Sequence, residues 1–252
     1  AALGAQLGGA FNWTTQGFTG LQLAGGVNVG GHGSFGLALA PLNAHEHLTG
    51  AQLGVINIGG DVVGTQLGVI NIANHVSGAQ VGVVNVAAHS DVAVGLLSFI
   101  GDGIHSVGVV GGELFPLGVV ARLGSARVYG VFELDWSPVL EDNHQIVSLR
   151  AGPGVRFPLD IAGQDLAIDI EAVGGSLHRT DDLLTSGLHL ATTARALLHW
   201  RPVPVVDLSA GPVVNVLVVD GTRTFNVPLA VLRFDSAVDT IIAPGIAVGV
   251  AF

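Results

Sequence analysis

The nonapeptides GAQLGVINI (Gly50–Ile58), GTQLGVINI (Gly64–Ile72) and GAQVGVVNV (Gly78–Val86) follow one another at a spacing of 14 residues. Looser copies run back to Gly4, with Asn12, Asn28 and Asn43 near the same place in each. Forward, the segments from Asp91 and Ile104 keep the glycines and apolar positions but lose the Asn. Internal repetition at a fixed short period marks one structural unit used many times. Each copy reads as a strand of about nine residues followed by a polar turn of about five, as in GGDVV, ANHVS and AAHSD. If GAQLGVINI is a single strand, Ala51, Leu53, Val55 and Asn57 lie on one face and Gln52, Gly54, Ile56 and Ile58 on the other. Both faces are then oily, with one amide each.

After Glu113 the pattern becomes a clean alternation. Val128, Gly130, Phe132, Leu134 and Trp136 oppose Tyr129, Glu133 and Asp135. Leu166, Ile168 and Ile170 oppose Asp169 and Glu171. Leu188, Leu190, Leu198 and Trp200 oppose His189, Thr193, Arg195 and His199, and Leu208, Val214 and Val216 oppose Asp207 and Asn215. Turn signals such as EDN, TDD and DGT separate such segments. The chain ends on Ile246, Val248, Val250 and Phe252 at alternate positions. Eight repeat strands and eight alternating strands predict an all-β, antiparallel, barrel-like transmembrane protomer of roughly 14–16 strands. No linker is visible. The expectation is one domain over 1–252, with an apolar repeat half (1–112) and an alternating half (113–252).

Composition sharpens this picture. Mean hydropathy is +0.62 and charged residues make up 11% of the chain, far below the quarter or so of ordinary soluble domains. All nine basic residues are Arg, and none precedes Arg122. The first 112 residues therefore carry no cation that would be costly beside lipid. A net charge of −10 argues against nucleic acid as a partner. The 38 glycines disfavour long helices, and the stretch from Val62 to Ser90 has too many glycines and asparagines for a membrane-spanning helix. There is no cysteine, so neither a disulfide nor a thiolate metal site is available. The sequence opens at Ala1 rather than Met, which fits export with a signal peptide absent from this chain.

The alternation ending in Phe252 resembles the C-terminal signature of bacterial outer-membrane β-barrels. That resemblance assigns Ile246, Val248, Val250 and Phe252 as a membrane-insertion signature, read by the barrel-insertion machinery. The repeats resemble the porin-like, lipid-trapping outer-membrane superfamily and the GxQxGxxN surface-repeat proteins of Gram-negative bacteria. This resemblance implies a structural outer-membrane protein. It would form a homo-oligomeric ring that encloses membrane lipid rather than an open solute pore. The expected partners are lipid and further copies of the chain, with bound lipid or detergent and no cofactor. The residues expected to face lipid are Leu53, Val55, Ile56, Ile58, Leu67, Val69, Ile70, Ile72, Val81, Val83, Val84 and Val86. The repeat amides Gln52, Asn57, Gln66, Asn71, Gln80 and Asn85 are expected to bond to neighbouring strands or turns, because buried amides must be satisfied. Two other architectures compete: an outer-membrane diffusion porin, and a surface β-solenoid adhesin, which an asparagine ladder would also suit.

Candidate chemistry is sparse. His45 and His47 flank Glu46 with metal-ligating residue types and would share a strand face, but the sequence nominates no third ligand. The segment His32–Gly36 (HGSFG) brushes against a G-x-S-x-G nucleophile motif but lacks its first Gly and the helix that should follow. The set His189, Arg195, His199, Asp169 and Glu171 reads as an ion-pair network inside a barrel. No catalytic, cofactor-binding or metal-binding residue is expected, and the protein is not expected to be an enzyme.

Overall fold

The computed structural model describes residues 2–142, 144–161, 163–182, 189–220, 225–234 and 238–252. The described residues contain strands and turns and no helix. They divide into two compact units: Ala1–His105 with Leu123–Gly130, and Ser106–Arg122 with Val131–Phe252.

The first unit is a parallel coil. Its ten strands are β1 (Ala2–Gly8), β2 (Phe11–Thr14), β3 (Phe18–Ala24), β4 (Val27–Gly30), β5 (Ser34–Leu39), β6 (Leu42–Leu53), β7 (Ile56–Leu67), β8 (Ile70–Val81), β9 (Val84–Val94) and β10 (Leu97–Ile100). Every pairing among them is parallel, and equivalent repeat positions sit in register: Asn43 with Asn57, Asn57 with Asn71, Asn71 with Asn85. Only two residues, Gly54 and Val55, separate β6 from β7. No hairpin can join parallel neighbours. The chain instead winds once per repeat and returns above its starting point, which gives a solenoid-like stack with a 14-residue coil. Each coil has two corners. One lies at Gly54–Val55 and its equivalents Gly68–Val69 and Gly82–Val83; the other interrupts the ladder between Ile58 and Asp61.

Two expectations are corrected here. The repeat half is parallel, not antiparallel, and the phase of strand and turn is reversed: GGDVV lies within β7 and ANHVS within β8. The physical reason is the glycine column. Gly50, Gly64 and Gly78 adopt φ of 138°, 135° and 137°, and a Cβ on Gly64 would overlap the Gly50 carbonyl oxygen. These glycines allow the strand to stack closely within the coil instead of ending it.

The second unit is a closed antiparallel barrel of eight strands. In chain order these are β11 (Ile104–Gly112), β12 (Leu117–Gly124), β13 (Val128–Glu141), β14 (His144–Ile161), β15 (Gln164–Arg179), β16 (Leu190–Val203), β17 (Val206–Asp220) and, after the short β18 (Leu232–Phe234), β19 (Val238–Ala251). The barrel closes where β19 pairs with β11, Gly108 opposite Ala251 and Gly112 opposite Ala247. The predicted 14–16-strand antiparallel sheet is therefore an eight-stranded barrel, and Ile104–Gly112, expected as a repeat copy, belongs to the barrel sheet. Its alternation of small and β-branched residues resembles the repeat in composition but has neither the Asn nor the Gln that the coil uses. Leu188, Asn143 of the expected EDN turn and most of the DGT turn lie outside the described residues.

The glycine column generates a stability prediction. Gly64→Ala should lower the unfolding free energy by about 3 kcal/mol, because the residue has positive φ and no room for a Cβ. Gly9→Ala, where a Cβ meets nothing within 4 Å, should stay within about 0.5 kcal/mol of the parent. Paired denaturant melts of the two variants check the difference.

Candidate functional site

The repeat builds its interior from amides. Gln52, Asn57, Gln66, Asn71, Gln80 and Asn85 are all fully buried, at 0% exposure. In a single straight strand Gln52 and Asn57 would point to opposite faces. The corner at Gly54–Val55 turns the chain between them, so both point inward. Each Asn Nδ2 donates to the Oδ1 of the Asn one coil further on: Asn43 to Asn57 at 3.0 Å, Asn57 to Asn71 and Asn71 to Asn85 at 2.9 Å. Its second proton goes to a backbone carbonyl, Leu67 for Asn57 and Val81 for Asn71. The row begins at Asn12 and ends on Ser98 Oγ, which takes the Asn position opposite Asn85.

A second row runs the opposite way. Gln80 donates to Gln66 and Gln66 to Gln52, at 2.8 and 2.7 Å. Gln52 Nε2 then lies 2.8 Å from His45 Nδ1, and His45 Nε2 lies 3.0 Å from Gln22 Oε1. A Gln52 donor requires His45 Nδ1 to accept, which assigns the ring proton to Nε2 and lets it donate onward to Gln22. The row finishes with Gln22 donating to Gln6. Two oppositely directed hydrogen-bond chains thus run the length of the coil, each link polarising the next.

The outside of the coil is apolar. Val55, Val69 and Val83 form the Gly–Val corner, at 52%, 46% and 46% exposure. Ile58, Leu67, Ile72 and Val86 are exposed on the broad sides, and Leu53, Ile56, Ile70, Val81 and Val84 are half-buried there. Polar groups on the surface concentrate at the other corner, where His47 faces Asp61, Asp61 faces His75, and His89 faces Asp91 and Asp102.

The barrel repeats this inversion with charges. Glu133, Asp135, Arg150, Asp169, Glu171, Arg195 and His199 are all buried. Near one end of the interior an apolar layer contains Leu140, Ile146, Leu177, Leu217 and Ile241. Next comes Arg150, stacked 4.4 Å over the Phe115 ring, 2.8 Å from Asp135 and 2.5 Å from Thr193 Oγ1. Deeper, Arg195 bridges Glu133 and Glu171, and Arg122 binds Glu171 at 2.6 Å. Further on, Arg156 grips Asp169 at 2.7 Å while His199 lies between Asp169 and Asp207. Outside, Leu134, Leu149, Phe157, Ile170, Leu198, Trp200 and Val214 are exposed. Ile246, Val248 and Phe252 point outward from β19 while Ala247 and Ala251 point in.

Of the expected ion-pair set, Asp169, Glu171, Arg195 and His199 are brought together. His189 stands apart against the Phe225 ring and accepts from the Asp220 amide. Arg122, Arg150, Arg156 and Asp207 were missed as members. Each lies at an inward position of its strand, so the alternation held that signal. His45 and His47 do not share a face: Glu46 occupies a corner, His45 turns inward and His47 outward. Ser34 is buried and donates to the Gly31 carbonyl, and His32 points away toward Glu46.

Comparison with protein-family models, curated proteins and solved structures finds no match to this chain.

Two substitutions probe these interiors. Asn71→Leu removes the donor to Val81 and the acceptor for Asn57, and should cost about 3 kcal/mol. Arg195→Met leaves Glu133 and Glu171 short of a buried counter-charge and should cost about 3–5 kcal/mol. Denaturant titration of each variant in detergent checks both.

Proposed function

We propose that this chain is a structural outer-membrane protein that assembles with its own copies into a ring and holds membrane lipid, not solute, within it. The observation that carries the reading is the inversion of both units: amides and ion pairs inside, aliphatic side chains outside. A water-exposed protein does not leave Leu149, Phe157, Ile170, Leu198, Val214, Ile246 and Val248 on the outside of one barrel while burying Arg122, Arg150 and Arg195 within it. In hydrocarbon that arrangement is the favourable one, and a closed barrel satisfies every backbone group. Strands β13 to β17 and β19 run from 14 to 18 residues, more than the ~9–11 needed to span a bilayer. The β14–β15 and β16–β17 connections are two residues each, while long segments join β15 to β16 and β17 to β19 at the other end, the asymmetry common in outer-membrane barrels.

Self-association rests on the coil. Its broad sides and its Gly–Val corner are apolar, so those surfaces call for apolar neighbours. Among the described residues β1 pairs only with β3, leaving Ala2–Gly8 as an open parallel edge with Leu3 88% exposed. An open edge is not tolerated beside acyl chains, and a second copy can cover it.

The parallel 14-residue stack favours a second reading, a surface solenoid adhesin, because that architecture calls for such a stack. Its weakness is the apolar exterior. The diffusion-porin reading has less support, since an eight-stranded barrel is just wide enough for side chains and this one is filled by ion pairs.

Fractionation and native mass spectrometry separate these readings. A ring predicts that the chain leaves the membrane only with detergent, as a particle of several subunits carrying many phospholipids. Release by salt or alkali as a lipid-free monomer would contradict it and favour the adhesin. Steady ion conductance in planar bilayers would favour the porin.

A further inference from the structure

The polar corner of the coil gathers imidazoles and carboxylates in one column. In-register pairing stacks His47 on Asp61, Asp61 on His75, and His75 on His89. The loop between β4 and β5 adds His32. Gly30 pairs with His45 and Ser34 with Leu48, which leaves residues 31–33 opposite Glu46 and His47. His32 Nε2 lies 2.9 Å from Glu46 Oε1. The His32 and His47 rings stack with centroids 4.7 Å apart. One ligand atom from each of His32, Glu46 and His47 lies within 4.8 Å of the others.

We propose that His32, Glu46 and His47 bind a divalent transition-metal ion of the zinc class, with Asp61 holding the His47 ring from behind. Two imidazoles and one carboxylate are a common zinc donor set, and solvent supplies the fourth position. Imidazole donors disfavour Mg²⁺ and Ca²⁺, which take oxygen ligands. Around one tetrahedral ion with bonds near 2.1 Å, ligand atoms stand about 3.4 Å apart, so atoms that already lie within 4.8 Å of one another need only a small adjustment to share an ion. The three side chains are 65%, 55% and 45% exposed and can rotate that far without disturbing the coil. Asp61 Oδ2 is 3.3 Å from His47 Nδ1, the carboxylate–histidine arrangement that orients metal-binding rings.

The surroundings favour a cation. No Arg or Lys occurs before Arg122, and Glu46 and Asp61 pair with histidines. The barrel offers a contrasting cluster, Asp169, Glu171 and His199, also within 4.8 Å. There Arg156 holds Asp169, and Arg122 and Arg195 hold Glu171, so an ion would have to displace buried guanidiniums. That cluster carries no metal in this account.

Calorimetric titration of Zn²⁺ into the untagged, EDTA-stripped full-length chain in detergent tests the site. The expected result is saturable binding of one ion per chain. His32→Ala, Glu46→Gln and His47→Ala should each weaken it about tenfold or more, while His105→Ala leaves it unchanged. Far-ultraviolet circular dichroism should match the parent, because the replaced side chains are exposed. Absence of saturable binding overturns the proposal. So does binding that survives the His32→Ala/His47→Ala double variant, which would place the ion elsewhere, for instance on His75 and His89.

Discussion

Everything in this protein depends on polar groups being satisfied inside rather than by water outside. The coil does it with amides: each buried Asn donates along its row and to a backbone carbonyl, and the Gln row runs through His45 to Gln22. The barrel does it with charges: each inward carboxylate meets an Arg or His from another strand. An unpaired amide or charge in either interior would cost roughly as much as several well-buried methyl groups contribute. Once the interior is closed in this manner, the broad sides of the coil and the outer face of the barrel are left to apolar side chains, and the coil's surface charges gather at the His–Asp corner.

The coil and the barrel solve the backbone problem differently. The barrel has no edge because β19 returns to β11. The coil has a parallel ladder whose β1 edge is open among the described residues. The first arrangement is self-sufficient in hydrocarbon; the second calls for a neighbour. This difference is what supports the proposed assembly of copies.

Much of this was legible in the residues. The alternation around Glu133, Asp169 and Arg195 assigned inward and outward faces that the barrel keeps, because the side-chain period of a strand is two and one slip would reverse every residue. The repeat length and the burial of the amides were legible too. Strand direction was not. A nine-residue apolar segment with one amide per face fits an antiparallel strand until the corner at Gly54–Val55 is seen. That corner contains no charge or proline to mark it, and Gly54 resembles the other glycines of the repeat. Strand number failed for the same reason, since each coil was read as one crossing of an antiparallel sheet. The meeting of His32 with Glu46 and His47 was not legible, because His32 and Glu46 are 14 residues apart and meet only through parallel stacking. A spacing equal to the repeat was, in retrospect, the available signal.

The central claim is that both exteriors face acyl chains. Nitroxide accessibility measures this most directly. Labels would be placed one at a time on outward positions of β8 and β16, Ile72 and Leu198 among them, in protein reconstituted into phospholipid bilayers. The account predicts that these labels collide more often with oxygen, which partitions into hydrocarbon, than with a water-soluble nickel chelate. Greater collision with the chelate at both positions would show water on those surfaces and contradict it.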